Sequence, residues 1–153
     1  MSDVKTEYLF TAKFEVPQIR DMGAGPMGNR KIATVTGGTF EGPKLKGTAL
    51  ASPGGDWLMF TNDGATYLDV RVTLKTDDGH LIYMTYEGRR SGPPEVMAAM
   101  AAGEEVDPSS YYFRIAPKFE TTAEPYGWLN NAVFIGTGER MPWGPIYHVH
   151  QIL

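Results

Sequence analysis

One stretch of the sequence separates polar from apolar residues cleanly and places a carboxylate beside a guanidinium. Its residues alternate in the order Leu68-Asp69-Val70-Arg71-Val72-Thr73-Leu74. Because successive side chains of a strand point to opposite faces, Asp69 and Arg71 share one face. If that face lines a cavity, Asp69 can act as a general acid or base, and Arg71 can hold a carboxylate or enolate oxygen. If it faces solvent, the two form a surface ion pair worth at most ~1 kcal/mol. Alternation separates the two faces but does not say which one points inward.

Two later segments carry aromatic and hydrogen-bonding residues at the same two-residue spacing. Tyr112 and Arg114 share one predicted strand face, and Tyr126, Trp128 and Asn130 share another. Aromatic walls with a few polar groups are typical of small-molecule pockets, although tyrosine and tryptophan also pack in cores and interfaces. Tyr112 would donate a hydrogen bond, Trp128 would form a wall and Asn130 would orient the substrate. The sequence thus predicts catalytic Asp69, Arg71, Arg114 and Tyr112, and substrate-binding Trp128, Asn130, Tyr126 and Tyr86.

Two further motifs are weaker. Gly23 to Gly28 matches the spacing of a dinucleotide-binding loop, but Pro26 interrupts the turn and an extended segment follows where the motif requires a helix. His148 and His150 lie two residues apart, as two ligands of a metal can, but His80 is the only other histidine and lies in a predicted turn. We therefore predict no nucleotide, no metal and no other cofactor.

Composition limits the classes of partner. The chain has 153 residues and no cysteine, so disulfides, thiolate metal sites and a cysteine nucleophile are excluded. Fourteen Lys and Arg against 18 Asp and Glu give a net charge of −4, which does not suit a nucleic acid. The first residues are charged and lack an apolar signal core, and no window reaches the roughly 18 apolar residues of a membrane span. We expect a cytoplasmic protein that binds neither nucleic acid nor membrane.

Short strand-like runs and turn signals alternate along the chain. Glycine and proline together number 29, from 18 and 11, which favours a turn-rich β protein. Hairpin turns are predicted at residues 62–64 and 77–79. The predicted strands are 8–16, around 31–36, 45–51, 57–61, 65–75, 80–87, 111–119, 126–135 and 146–153, and residues 21–28 are predicted as a loop. Only Pro93 to Ala102 has helical periodicity.

This pattern predicts a single domain over residues 1–153. Its fold class is mainly β: a small antiparallel β-barrel, closed or nearly closed, of nine or ten strands with one short helix. Closure is favoured because it removes exposed strand edges. A β-sandwich is the alternative.

The order of several sequence blocks resembles a known family over nearly the whole chain. The blocks are Gly37–Gly47, Gly54–Trp57, Leu68–Arg71, Thr76–Tyr83, Gly92–Val96, Asp107–Arg114, Phe119–Thr121 and Tyr126–Asn130. They resemble the domain of unknown function 3237 family, also called uncharacterised protein family 0311. The resemblance implies a compact β-barrel and no general activity, and it favours a pocket surrounded by the predicted site residues within these blocks. His148 and His150 depart from the tail pattern expected of that family.

Three functions are compatible with the sequence. The preferred one is a cofactor-independent enzyme of isomerase or lyase type that uses acid–base chemistry on a small carbonyl or carboxylate compound. The second is a non-catalytic protein that binds a small organic molecule in the same pocket. The third is an oligomeric structural domain with aromatic faces buried between subunits. A homo-oligomer is expected in any case, and the substrate and subunit number do not follow from the sequence.

Overall fold

A computed structural model describes residues 2–153 of the chain. In this part of the chain there are ten strands: β1 Thr6–Glu15, β2 Ile19–Gly25, β3 Gly28–Thr34, β4 Gly37–Glu41, β5 Lys46–Phe60, β6 Thr66–Thr76, β7 Leu81–Ser91, β8 Tyr112–Glu120, β9 Val133–Met141 and β10 Gly144–Ile152. Helix α1 spans Pro94–Ala101, and 3-10 helices span Pro108–Ser110 and Glu124–Asn131. No helix within residues 2–153 is long and apolar enough to cross a membrane.

Eight strands close into an antiparallel barrel. They are hydrogen-bonded in the order β5-β4-β1-β10-β9-β8-β7-β6, and β6 pairs back onto β5. The start of β5 pairs with β4 and its end pairs with β3, so the hairpin of β2 and β3 extends the sheet beside the barrel. The predicted antiparallel barrel is therefore confirmed, with eight strands in the barrel and two additional ones.

Alternation along the strands decides which side chains fill the barrel. On β6 the buried apolar side chains are Leu68, Val70, Val72 and Leu74, each at most 3% exposed. One end of the barrel is filled by an aromatic cluster of Phe10, Phe40, Phe119 and Phe134, with ring centroids 4.9–5.7 Å apart. Such tilted and edge-to-face pairs are favourable beyond the area that they bury. Packing closes the barrel interior at this end, and a groove of about 430 Å³ that also includes Asn130 and Val133 lies beside Phe119 and Phe134.

Three predicted elements differ from the structure. Residues 126–131 belong to a 3-10 helix and not to a strand. Pro125 suits a first helical turn. The Asn130 side chain accepts from the backbone N–H of Thr121 at 2.8 Å and donates to its C=O at 2.9 Å, which fixes the end of the helix. The predicted loop from Asp21 contains most of β2, since backbone pairing with β3 compensates for its small residues. The two strands predicted around residues 52–55 are one strand, β5, whose register shifts between Ala49 and Gly54 as it passes from β4 to β3.

Candidate functional site

Asp69 and Arg71 lie on the outer face of β6. Arg71 Nη1 is 3.9 Å from Asp69 Oδ1, and each side chain is 53% exposed. The Arg71 guanidinium also lies 5.5 Å from the ring centroid of Trp57 on β5. Of the two alternatives that the sequence left open for this face, the structure has the solvent-facing one: Leu68 and Val70 point inward. Asp69 and Arg71 line an outer groove of about 470 Å³.

Tyr112 and Arg114 form a second exposed pair, on β8. The Arg114 guanidinium lies 4.9 Å from the centre of the Tyr112 ring, and its Nη1 donates to the backbone oxygen of Phe113 at 2.8 Å. Strand β7 separates them from Asp69 and Arg71. The four predicted catalytic residues are thus two surface pairs on different strands.

The predicted binding residues of the 3-10 helix lie near the closed end of the barrel. The Tyr126 hydroxyl donates to the Asp78 carboxylate at 2.9 Å, and Trp128 packs under the Lys44 ammonium, 5.1 Å from its ring centre. Asn130 is occupied by its bonds to Thr121. Because these residues are not on a strand, they do not share a face in the way the sequence spacing predicts. Among the eight predicted side chains, only Tyr86 is buried in the barrel.

The open end of the barrel holds an inward-facing group of polar side chains, which we call the inner cluster. It consists of Asp56 on β5, Tyr86 and Arg90 on β7, Arg140 on β9 and Tyr147 on β10. These side chains line a cavity of about 40 Å³. The rest of the wall is almost entirely apolar, with Phe14, Val35, Leu58, Leu68, Val70 and Phe113 among its residues.

Asp56 is the carboxyl group of the inner cluster and is only 8% exposed. Burial raises its pKa from 3.8 to about 7. The backbone N–H of Asp69, which donates to Asp56 Oδ1 at 3.2 Å, and the positive charges of Arg90 and Arg140 act in the opposite direction. The negative charge of Asp69 on the other side of the wall raises the pKa further. A carboxyl group poised near neutral pH can both accept and donate a proton.

Tyr86 and Tyr147 place two phenol groups beside Asp56. Their ring centroids are 5.0 Å apart with an interplanar angle of 71°. Burial raises the pKa of both hydroxyls above the ordinary tyrosine value, and the Asp56 charge raises both further. Both hydroxyls therefore remain protonated at neutral pH and can donate hydrogen bonds to an oxygen in the cavity.

Arg90 and Arg140 supply the positive charge of the inner cluster. Arg90 is 7% exposed, and its guanidinium lies 5.2 Å from the ring centre of Phe113. Its buried Nε has no hydrogen-bond partner in the described part of the chain, residues 2–153. Arg140 Nη1 donates to the backbone oxygen of Met141 at 2.5 Å. Burial lowers the pKa of both guanidinium groups, and for Arg90 the charge of Arg140 adds to the effect. Among residues 2–153, neither guanidinium group has a carboxylate oxygen within 4.0 Å.

A glycine on β9 gives Phe113 the room that it needs in the cavity wall. A Cβ atom on Gly138 would lie 2.7 Å from Cγ of Phe113, far inside contact distance. The Phe113 ring in turn packs edge-on to Tyr147, with centroids 5.5 Å apart, and under Arg90. Gly138 therefore positions two members of the inner cluster through one aromatic ring.

Most of the inner cluster was missed by sequence reasoning. Asp56 follows two glycines in a segment that resembles a turn, and Arg90 stands beside Arg89 where a strand end would be expected. One signal was available: Tyr86 and Arg90 lie four residues apart on the predicted strand His80 to Glu87 once this strand is extended. Two-residue alternation then puts both on the face of Ile82 and Met84, which is apolar.

The other motifs occupy structural positions. His148 Nδ1 lies 3.1 Å from Thr11 Oγ1, and His148 Nε2 lies 3.5 Å from a Glu139 oxygen. His150 packs edge-on against Tyr8. Residues 2–153 contain no group of three or more histidine, aspartate or glutamate side chains that could hold a metal ion. The glycines of residues 23–28 form the end of the hairpin that joins β2 to β3.

Comparisons with known proteins agree with the barrel architecture. The family model described as "Protein of unknown function (DUF3237)" matches residues 4–152. A UPF0311 protein of Rhodopseudomonas palustris is 33% identical over 150 residues, which cover 98% of this chain and 97% of the relative.

Solved structures extend this similarity to three dimensions. A conserved protein of unknown function from Rhodopseudomonas palustris has a TM-score of 0.96 at 31% identity, and all of both chains is covered. A β-barrel-like protein from Acinetobacter baumannii has a TM-score of 0.84 at 37% identity, with 100% and 98% coverage of this chain and that one. A protein described as an enzyme from Penicillium herquei has a TM-score of 0.75 at 22% identity, with 100% and 97% coverage, and so shares the fold.

Proposed function

The chain belongs to the DUF3237 family of proteins of unknown function, and on that premise we propose that it is a cofactor-independent acid–base enzyme acting in the barrel cavity. Its reaction would be of isomerase or lyase type, on a small carbonyl or carboxylate compound. The observation that carries this proposal is Asp56, a buried carboxyl with a pKa of about 7 in the wall of a cavity that also presents two phenols and two guanidinium groups. The acid–base role that the sequence assigned to Asp69 passes to Asp56.

The proposed chemistry begins with proton transfer. The Asp56 carboxylate removes a proton from a carbon next to a carbonyl group, and the electron pair of that C–H bond moves onto the carbonyl oxygen as an enolate. Hydrogen bonds from Tyr86 or Tyr147 and the charge of Arg140 stabilise this oxygen. The protonated Asp56 then returns the proton to another carbon, which completes an isomerisation, or to a leaving group, which completes an elimination.

The size of the cavity limits the substrate. A space of about 40 Å³ holds roughly three or four water molecules, since one needs about 10–15 Å³. Drug-sized ligands occupy sites of roughly 300–1,000 Å³. The substrate is therefore a compound of few heavy atoms, or the rim moves to admit it. Val16 and Ile19 contribute to the cavity lining, and Ile19 is 43% exposed at the start of the β2–β3 hairpin. This hairpin is the part of the rim that we expect to move.

One neighbour lends independent support. The Penicillium herquei protein with the same fold is described as an enzyme, so this barrel architecture is compatible with catalysis. That likeness does not indicate which reaction this chain performs, because the fold accommodates different chemistries at different sites.

Exchange of carbon-bound protons tests the proposal without a known substrate. The protein is incubated in D2O with a panel of short keto acids and hydroxy ketones, and loss of the α-proton signal is followed by NMR. We expect exchange of at least one compound with the parent protein and at least a 100-fold slower rate with Asp56→Asn, because a general base contributes about 10²–10⁴-fold. Asp77→Asn, in the turn between β6 and β7, is the matched control and should keep the parent rate.

The second candidate function is ligand binding without turnover in the same cavity. Arg90 and Arg140 form no ion pair with any of residues 2–153, and they favour this function because they can retain a ligand without any proton transfer. Saturable binding with no exchange in either the parent or Asp56→Asn would favour this function over the enzyme. Homo-oligomer formation and a cytoplasmic location remain predictions from the sequence, and size-exclusion chromatography with light scattering checks the first.

A further inference from the structure

The inner cluster has more positive charge than its own carboxyl group can neutralise. Two guanidinium groups face the cavity, and Asp56 is the one acidic side chain among its lining residues. Asp56 is partly protonated at neutral pH, so the wall carries a net charge between +1 and +2. A charge that is buried away from water destabilises the protein unless a charge of opposite sign lies beside it. The cluster therefore lacks a negative charge.

We propose that the cavity binds a short-chain organic carboxylate and that this binding is coupled to protonation of Asp56. The two carboxylate oxygens lie between Arg90 and Arg140, and the apolar end of the ligand packs against the aromatic wall. This inference rests on the proposed function for the identity of the site; because the bound carboxylate keeps Asp56 protonated, it occupies the cavity as an inhibitor of proton abstraction and not as the compound that Asp56 deprotonates. Arg90 carries the argument: it is more than nine-tenths buried, faces the cavity, and has an Nε with no partner among residues 2–153. A planar guanidinium matches a planar carboxylate through two parallel hydrogen bonds.

The apolar wall indicates an organic anion and not an inorganic one. Phe14, Val70 and Phe113 line the same cavity and offer no hydrogen bonds to a fully hydrated ion. A carboxylate with one to three further carbons satisfies both parts of the wall. Inorganic phosphate could also bind the two guanidinium groups, but it has four oxygens, and this wall offers few other hydrogen-bond donors for them.

Coupling to Asp56 follows from the groups that surround it. Arg90 on β7 and Arg140 on β9 favour its charged form, whereas Asp69 on β6 opposes it; Tyr86 and Tyr147 remain neutral donors. A ligand carboxylate adds a second negative charge close to Asp56, and two carboxylates at one site share a proton. The ligand therefore binds with Asp56 protonated. Its affinity should be nearly constant below the Asp56 pKa as long as the ligand itself stays ionised, and should fall tenfold per pH unit well above pH 7.

Calorimetric titration with propionate between pH 5.5 and 8.5 tests both the binding of a carboxylate and its coupling to a proton. Buffers of different ionisation heat are used, so that the number of protons taken up can be measured. We expect saturable binding at pH 5.5, uptake of nearly one proton at pH 8, and an affinity more than 10-fold lower at pH 8.5 than at pH 5.5. Arg90→Gln should weaken binding at least 10-fold at pH 5.5. Asp56→Asn should keep binding and lose its pH dependence, because the amide cannot ionise. Arg71→Gln on the outer face is the matched control and should bind as the parent does.

Several results would overturn the inference. Absence of saturable propionate binding at pH 5.5, unchanged affinity in Arg90→Gln, or tighter binding of inorganic phosphate than of propionate each contradicts a carboxylate site. If Arg90→Gln does not fold, as judged by its thermal transition, Arg140→Gln tests the same claim with the same threshold. Proton exchange of a neutral ketone without propionate binding would leave the proposed enzyme in place and refute the carboxylate. Propionate binding without proton exchange would support the carboxylate site and contradict the proposed enzyme.

Discussion

Two sets of charged residues face each other across one layer of β-sheet, and their environments differ sharply. Outside, Asp69 and Arg71 form an ion pair at 3.9 Å with half of each side chain in solvent. Inside, Asp56 is 8% exposed and Arg90 is 7% exposed, and neither has an ion-pair partner within 4.0 Å among residues 2–153. The outer pair is joined to the inner group by one hydrogen bond, from the backbone N–H of Asp69 to Asp56.

The difference shows that burial, and not proximity of an opposite charge, determines the pKa of the inner carboxyl group. An exposed ion pair contributes about 0–1 kcal/mol, because water already solvates both partners. The inner carboxyl loses that solvation, and the resulting rise of its pKa to about 7 exceeds the opposing effects of two guanidinium groups and a hydrogen bond. Perturbed groups of this kind concentrate at functional sites.

The largest effect is expected from Asp56→Asn. Because folding raises the Asp56 pKa from 3.8 to about 7, the folded protein binds more protons than the unfolded chain between these values, and stability is lost as the pH rises through this window. A shift of this size corresponds to about 4 kcal/mol, fully lost above pH 7. The amide can still accept from the Asp69 N–H without being charged. We therefore expect Asp56→Asn to be more stable than the parent at pH 8.

Urea denaturation of both proteins at pH 5 and pH 8 measures this effect. The stability difference between Asp56→Asn and the parent should grow by about 2–3 kcal/mol from pH 5 to pH 8, in favour of the variant. Comparing the two pH values removes the intrinsic effect of replacing a carboxyl by an amide. A difference that stays constant with pH would mean that Asp56 ionises in the folded protein as it does in the unfolded chain.

A smaller effect is expected from Gly138→Ala, which tests how the inner side chains are positioned. The added Cβ would meet the Phe113 ring at 2.7 Å, so the ring must move away from Tyr147 and Arg90. Overpacking of this kind costs about 1–3 kcal/mol. Thermal denaturation measures the loss, and Gly127→Ala, where a Cβ meets no atom within 4 Å, is the matched control. Equal stability of the two variants would show that Phe113 relaxes without cost.

The sequence predicted the barrel better than the site, for a physical reason. Two-residue alternation and glycine-containing turns identify strands such as β6, and helix α1 follows from Pro94 and its periodicity. Alternation cannot tell which face points inward, and on β6 the polar face points to solvent. Asp56 gave no signal because it follows the irregular part of β5. The segment predicted as a strand from residue 126 is a 3-10 helix instead, because Pro125 suits its first turn and the Asn130 side chain hydrogen-bonds to Thr121.

The outer pair should contribute little, and Arg71→Met measures how little. Removing the guanidinium deletes a screened ion pair and a contact over the Trp57 ring. We expect the free energy of unfolding in urea to change by less than ~1 kcal/mol. Propionate binding should be retained. A loss of several kcal/mol would place Arg71 in the same energetic class as the buried groups, and the contrast between the two faces would fail.

The smallest effect concerns the influence of the outer face on the inner one. The Asp69 charge raises the Asp56 pKa through the barrel wall, whereas the Asp69 backbone N–H lowers it by donating to Oδ1 at 3.2 Å. Asp69→Asn removes the charge and keeps the backbone donor, so the Asp56 pKa should fall by a fraction of a unit. Carbon-detected NMR titration of the Asp56 carboxyl measures the shift. Asp77→Asn removes an equal charge in the turn after β6, near the closed end, and should leave that pKa unchanged. A rise of the Asp56 pKa in Asp69→Asn, or equal pKa shifts in both variants, would contradict a local effect of the Asp69 charge on Asp56.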